Sequence, residues 1–158
     1  MDAIELLTRE HRDVEDLFDS LEVTDVPERR RSLMEELARR LVVHGMLEEQ
    51  HFYPALRSQA PDLVEGFFDD HSEVRQCLGR LLSMSMDDEL FSERLENLRR
   101  MVESHVAQEE RDLFPKARQA LGDTTLDALT AQLKATRDAS SEVEPRELID
   151  PEAAPPAP

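Results

Sequence analysis

The sequence predicts an all-α protein, an up-down-up-down antiparallel four-helix bundle with a short extra helix at its C-terminus. Three observations predict it. The 158 residues are 35% charged and 4% aromatic, with no Trp and four Gly, a balance that suits helices better than sheets. Apolar residues recur at steps of three and four rather than two, which is the helical period. Finally, one stretch occurs twice: His44-Gly-Met-Leu-Glu48-Glu49-Gln-His51-Phe-Tyr53-Pro54 returns as His105-Val-Ala-Gln-Glu109-Glu110-Arg-Asp112-Leu-Phe114-Pro115. Each copy follows an acid-His-x-x-Val, Glu10-His11 to Val14 and Asp70-His71 to Val74. An internal repeat fixes the architecture, and this one specifies two helical hairpins. Each carries His on its first helix and His-x-x-x-Glu on its second.

The first helix is predicted over 3–21. Ile4, Leu7, His11, Val14, Phe18 and Leu21 form one stripe, and Asp2 is placed to cap it. His11 therefore lies among apolar neighbours. After a short connection at 22–26, Pro27 suits the first turn of a second helix over 27–58. On that helix His44 and Glu48 are about 40° apart and share a face, whereas Glu49 points about 140° from His44 and reads as solvated. Pro54 should bend or end the helix. The third helix, about 61–84, places His71 on the stripe Val64, Phe67, Val74, Leu78, Leu81. The fourth, about 88–120, carries Phe91, Leu95, Leu98, Val102, His105, Glu109 and Asp112, and Gly122 marks its end. A shorter amphipathic helix over about 124–138, with Leu126, Leu129 and Leu133, is expected to pack outside the bundle. Residues 1–138 thus form one domain with its bundle at 3–120. Residues 139–158, rich in Glu, Pro and Ala, are expected to be a disordered tail.

Helical rise sets the depth of each histidine. At about 1.5 Å per residue, His11 lies about 13 Å into the first helix and His44 about 15 Å before Pro54. His71 is ten residues after Pro61, and His105 ten before Pro115. In an antiparallel bundle all four fall at one level, with Glu48 and Glu109 one turn along. A lone histidine on an apolar face is commonly just a core residue. Two buried carboxylates without partners, however, cost several kcal/mol each. Four imidazoles and two carboxylates from four helices suit two metal ions, each taking two His and sharing the two Glu. Such donors favour iron or manganese over a closed thiolate zinc site. Iron is preferred because open di-iron sites reach oxygen chemistry, although zinc would bind the same donors.

The net charge of −17 repels nucleic acid and anionic membrane surfaces, so neither is an expected partner. The single cysteine, Cys77, permits no intramolecular disulfide and reads as a boundary residue in a reducing compartment. The first residues lack the basic and apolar segments of a secretory signal, and no run reaches a membrane span. A cytoplasmic location is the expectation. Nothing in the chain identifies a protein partner.

His11, His44 with Glu48, His71, and His105 with Glu109 resemble the ligand pattern of the hemerythrin-like HHE cation-binding family: His, His-x-x-x-Glu, His, His-x-x-x-Glu over four helices. The resemblance covers about residues 3–120. It implies a hemerythrin-like bundle with an oxo- or hydroxo-bridged non-haem di-iron centre that meets O2, H2O2 or NO. The pattern differs from that of the oxygen-carrying hemerythrins, which place a second His four residues along the third helix, where this chain has Arg75. The branch with the more symmetric set is associated with sensing of oxygen, iron or redox state and with peroxide decomposition.

Three further residues are candidates for an outer or additional role. His51 lies seven after His44, close to the same α-helical face, and its repeat mate is Asp112. Either could orient a ligand, carry protons or serve as an extra ligand, and His51 could also face solvent. Tyr53 follows the motif, and its mate is Phe114. Tyr53 either packs near the bundle end or directs its phenol at one iron, which would make the two irons inequivalent.

Overall fold

The computed structural model describes residues 1–149 and is all-helical over that span. Helix α1 (Ala3–Glu22) begins in a capping box, in which Asp2 accepts from the Glu5 amide and Glu5 from the Asp2 amide, each at 2.9 Å. Helix α2 (Pro27–Leu47) continues through a π-helical turn, Glu48–Phe52, into α3 (Tyr53–Leu56). Helix α4 (Pro61–Ser83) starts the second hairpin. Helix α5 (Phe91–Gln108) passes through a matching π turn, Glu109–Leu113, into α6 (Phe114–Ser140), and α7 (Pro145–Ile149) follows. The pairs α1 with α2 and α4 with α5 pack as neighbouring hairpin arms, giving the expected four-helix bundle.

The π turns come from the prolines. Pro54 and Pro115 have no amide hydrogen to return to the preceding turn, and their rings crowd it. The chain opens each turn by one residue, so the Tyr53 amide reaches Glu48 O and the Phe114 amide reaches Glu109 O. The second helix was expected to bend or end at Pro54. It instead continues to Leu56 with its phase altered.

The core lies in two layers. One, toward the chain's N-terminus, contains Leu7, Leu47, Phe52, Leu56, Val64, Phe67 and Leu113. The other contains Phe18, Leu37, Leu78, Leu81, Phe91, Leu95 and Leu98. Between the two layers sit the buried residues His11, His44, Glu48, His71, His105 and Glu109.

Three sequence expectations change. At Gly122 the backbone turns left-handed (φ 70°), a conformation that suits glycine, and this kinks α6. The segment beyond is not an outer appendage, because Leu126, Leu129 and Leu133 are buried in the N-terminal core layer against α1 and α2. Residues 139–149, assigned to the disordered tail, include the end of α6 and α7. Helix α7 packs on α2 and α4, and Arg146 donates to Leu82 O at 2.5 Å. Leu148 and Ile149 supply the apolar contact that composition alone hid. The rest of that predicted tail, 150–158, lies outside the described residues. Lastly, the fourth helix starts at Phe91 rather than near 88, because Asp88 accepts the Leu90 amide and holds a turn there.

Candidate metal centre

Each half of the cluster is a pair of imidazoles meeting through Nε2. His11 and His44 are 3.2 Å apart at these atoms, and so are His71 and His105. The two carboxylates tie the halves together. Glu48 Oε1 lies 3.0 Å from His44 Nε2 and 3.3 Å from His71 Nε2. Glu109 Oε1 lies 3.2 Å from His11 Nε2, and its Oε2 lies 3.3 Å from His105 Nε2. Glu48 and Glu109 are both fully buried. The helical i,i+4 spacing stacks each Glu on its own His, and the repeat brings a histidine of the other hairpin to each Glu, at the same oxygen of Glu48 and at the other oxygen of Glu109.

This donor set fits cations by three criteria. Metal bonds of about 2.1 Å at right angles would separate neighbouring donors by about 3.0 Å, close to the observed spacings. Two groups, His11, His44, Glu48, Glu109 and Glu48, His71, His105, each offer atoms within 4.8 Å of one another. Both Glu48 oxygens and Glu109 Oε1 are buried without a properly directed hydrogen bond, so three acceptor atoms lack the donor that burial demands.

Outside the Nε2 face stands a second ring of carboxylates. Glu10 meets His44 Nδ1 at 2.8 Å, and Asp70 meets His105 Nδ1 at 3.0 Å. Glu110 stands 3.7 Å from His11 Nδ1, and Glu49 3.7 Å from His71 Nδ1. Arg12 binds Glu110 at 2.6 Å, and Arg75 binds Glu49 at 3.2 Å. At His44 and His105 the hydrogen-bonded carboxylate at Nδ1 fixes the tautomer that leaves Nε2 free to donate to a metal, whereas Glu110 and Glu49 act on His11 and His71 through charge at longer range. Glu49 is therefore turned to the cluster rather than solvated. The signal for this ring is the acid preceding His11 and His71 and the second Glu of each doublet, and sequence reasoning gave these no role. Six carboxylates stand around the four imidazoles, with Arg12 and Arg75 on the outermost two, so acidic groups predominate at the centre.

The same field appears in the pKa values. Burial opposes protonation of His105, but Asp70, Glu109 and Glu48 outweigh it and push its pKa up to about 12. Burial likewise opposes protonation of His44, yet the Glu48 charge and Glu10 hold it well above the usual range. Burial favours the neutral form of Glu48, but His44 beside it holds the carboxyl well below the usual range. The centre therefore stabilises positive charge, whether it is carried by protons or by metal ions.

Tyr53 belongs to the cluster. Its hydroxyl donates to Glu109 Oε2 at 2.5 Å and lies 3.3 Å from His71 Nε2. Burial, then the Glu109 charge, pushes the phenol well above its ordinary pKa, so it stays protonated and a donor. His51 does not join. The π turn directs it outward to Thr136 Oγ1, 2.7 Å from its Nε2. Asp112 lies at the surface and pairs with Arg111 at 2.9 Å. Cys77 is a half-buried free thiol apart from the cluster.

The family model of the hemerythrin HHE cation binding domain matches residues 2–117. An uncharacterized protein of Mycobacterium tuberculosis is 30% identical over 118 residues, spanning 73% of this chain and 71% of its own length. A DNA nickase of Nostoc sp. is 26% identical over 138 residues, or 87% of this chain, but the chain spans 39% of that relative's length. The crystal structure of a hemerythrin HHE cation binding domain-containing protein from Mycobacterium kansasii superposes with a TM-score of 0.80 at 25% identity. It covers 89% of this chain and 87% of that one.

Proposed function

The chain belongs to the hemerythrin HHE cation-binding domain family, and on that premise we propose that it is a non-haem di-iron protein that handles oxygen or peroxide. Its activity would be catalase-like decomposition of hydrogen peroxide or oxygen and redox sensing. The observation that carries this reading is the pairing of donors. Each histidine pair contacts both Glu48 and Glu109, and acidic groups predominate around them. His11 and His44 would hold one ion and His71 and His105 the other, with Glu48 and Glu109 shared.

Bound iron supplies Lewis acidity and exchangeable electrons for small oxygen species. The chain supplies the rest. Glu10 and Asp70 orient His44 and His105 through Nδ1. Tyr53 holds a proton at its phenolic oxygen against Glu109 Oε2. On the far side of the imidazoles, Val14, Val42, Leu78 and Val102 line a cavity of ≈ 40 Å³. A single water needs about 10–15 Å³ by this measure, so the space takes a small oxygen species and excludes metabolites. Its apolar wall suits dioxygen.

Of the described residues, no helix is long and apolar enough to cross a membrane, and a cytoplasmic setting agrees with the reduced state expected of Cys77. The relative named as a nickase is mostly sequence this chain does not match, and the net charge of −17 opposes a phosphodiester partner. We therefore carry no nucleic-acid role to this chain.

The test is metal content and the visible spectrum of air-purified protein, followed by added hydrogen peroxide. Two irons per chain, near-ultraviolet oxo-to-iron bands and oxygen evolution are the expected result. Two irons with reversible spectral change and no turnover would establish binding or sensing instead. A colourless, zinc-loaded protein that refuses Fe(II) under anaerobic reconstitution would overturn the iron assignment.

A further inference from the structure

The two halves of the cluster come from repeated sequence, and two differences between mates that touch the imidazoles fall on the same half. Tyr53 and Phe114 are the first pair. The Tyr53 hydroxyl lies 3.3 Å from His71 Nε2 and 3.5 Å from His105 Nε2. Phe114 instead stacks on His11, centroids 5.9 Å apart and planes 1° from parallel. Gly45 and Val106, which follow His44 and His105, are the second. A Cβ on Gly45 would stand 3.4 Å from His71 Nδ1. Val106 carries in the second hairpin the side chain that Gly45 lacks in the first. The half containing His71 therefore has a hydroxyl on one side and a missing side chain on the other.

The space at Gly45 is continuous with the small cavity over the imidazoles, which Leu41, Val74 and Arg75 also line. Arg75 lines in addition an open surface groove with Ser72, Gln76 and Gly79. Its side chain thus stands between the cavity and this groove. The Arg75 side chain is 30% exposed, and its guanidinium is tied to Glu49 Oε2 at 3.2 Å. Glu49 is 19% exposed, so the pair is partly buried but reached by solvent, and its opening does not require the helices beside it to unfold.

We propose that small ligands reach the centre between α2 and α4, past Arg75 and over Gly45, and are taken up at the His71–His105 half. The ligand class is a di- or triatomic species, neutral or anionic: neutral because the cavity wall is apolar, anionic because the outermost group is a guanidinium. The uptake step rests on the di-iron reading above, whereas the route is a property of the chain itself.

Two measurements test it, both on the full chain. In iron-loaded protein, azide binding is followed by stopped-flow absorbance. Gly45→Val, which adds three carbons, should slow it about tenfold or more, the order of effect that added carbons have in a tight apolar pocket, with iron content unchanged. In metal-free protein, the relaxation of the Val74 and Leu41 methyl groups by dissolved dioxygen is followed by NMR. Gly45→Val should remove the enhancement, and Arg75→Ala should increase it. Gly45→Ala, whose added carbon meets His71 at ordinary contact distance, serves if the valine variant does not fold. Azide rates and methyl relaxation that ignore both substitutions at position 45 would overturn the route. A wild-type chain that takes up no iron overturns uptake at the His71–His105 half together with the di-iron reading, while dioxygen relaxation still decides the route.

Discussion

Tyr53 donates to Glu109 across the bundle, oxygen to oxygen at 2.5 Å, and Glu109 Oε1 receives no properly directed hydrogen bond. Tyr53→Phe removes the donor to a fully buried carboxylate and leaves the ring contacts with Phe67 and Phe68 in place. Loss of such a donor costs about 1–3 kcal/mol. The metal-free variant should unfold at lower urea by that amount. An unchanged midpoint would mean that the hydroxyl does not serve Glu109 and that Tyr53 acts only by packing.

Glu10 and Asp70 are repeat mates that perform one task, fixing His44 and His105 through Nδ1. Glu10→Gln and Asp70→Asn should each weaken metal binding about 10–100-fold. Asp70 is the more exposed of the two, so solvent screening should make its loss the milder. His51→Gln and Asp112→Asn should leave affinity unchanged, since the first faces Thr136 and the second Arg111. Competition titration against a chromophoric chelator ranks the four. A weakened His51 variant beside an unaffected Glu10 variant would reverse the assignment of the outer carboxylate ring.

Metal-free and metal-bound protein should respond to pH in opposite senses. Folding raises the pKa values of His11, His44, His71 and His105. A histidine with a raised value stabilises the fold fully below about pH 6.5, and that contribution is lost as pH climbs toward the folded-state value. Glu48, whose value is depressed, adds stability that is lost as pH falls below the ordinary carboxylate range. The chelated protein should therefore be most stable in mildly acidic solution and lose thermal stability as pH rises to 9. Metal competes with those protons, so the stability gained on adding cation should grow with pH. Thermal melts with and without chelator at pH 5.5, 7 and 8.5 check both trends. A metal increment that shrinks with rising pH would remove the six-residue centre as the binding site.

The bundle and the convergence of His11, His44, Glu48, His71, His105 and Glu109 were legible because they rest on period and repetition, which a sequence displays directly. The positions of His51 and Tyr53 were not, because they depend on the π turn at Glu48–Phe52. In a regular α-helix Tyr53 falls about 180° from His44 and His51 within about 20°. One extra residue in the turn brings Tyr53 inward to Glu109 and sends His51 out to Thr136. The cause, a proline following the ligand turn, was visible. Its outcome, a widened turn rather than a break, depends on tertiary packing that holds Phe52 and Leu56 in the core. The outer carboxylates were equally visible, but their partners lie on other helices, and only the assembled bundle shows which imidazole each one meets.

Helix α6 beyond Gly122 reads as an appendage in sequence, and the structure makes it a wall of the core. Leu133 is fully buried with Leu7, Leu47 and Leu56 in the layer beneath the metal centre. Removing such a side chain forfeits both transfer free energy and packing, about 2–5 kcal/mol for Leu→Ala. A helix resting on the outside would cost well under about 1 kcal/mol for the same change. Leu133→Ala should therefore lower the urea midpoint markedly while the folded variant keeps the same metal stoichiometry, because Leu133 is not in the ligand layer. Thr130→Val is the control. The Thr130 hydroxyl bonds only within its own helix, to Leu126 O at 2.7 Å, so its loss should be mild. A Leu133 variant as stable as wild type would return α6 to the outside of the bundle. Loss of metal by a still-folded Leu133 variant would show instead that the lower core layer sets the spacing of the centre above it.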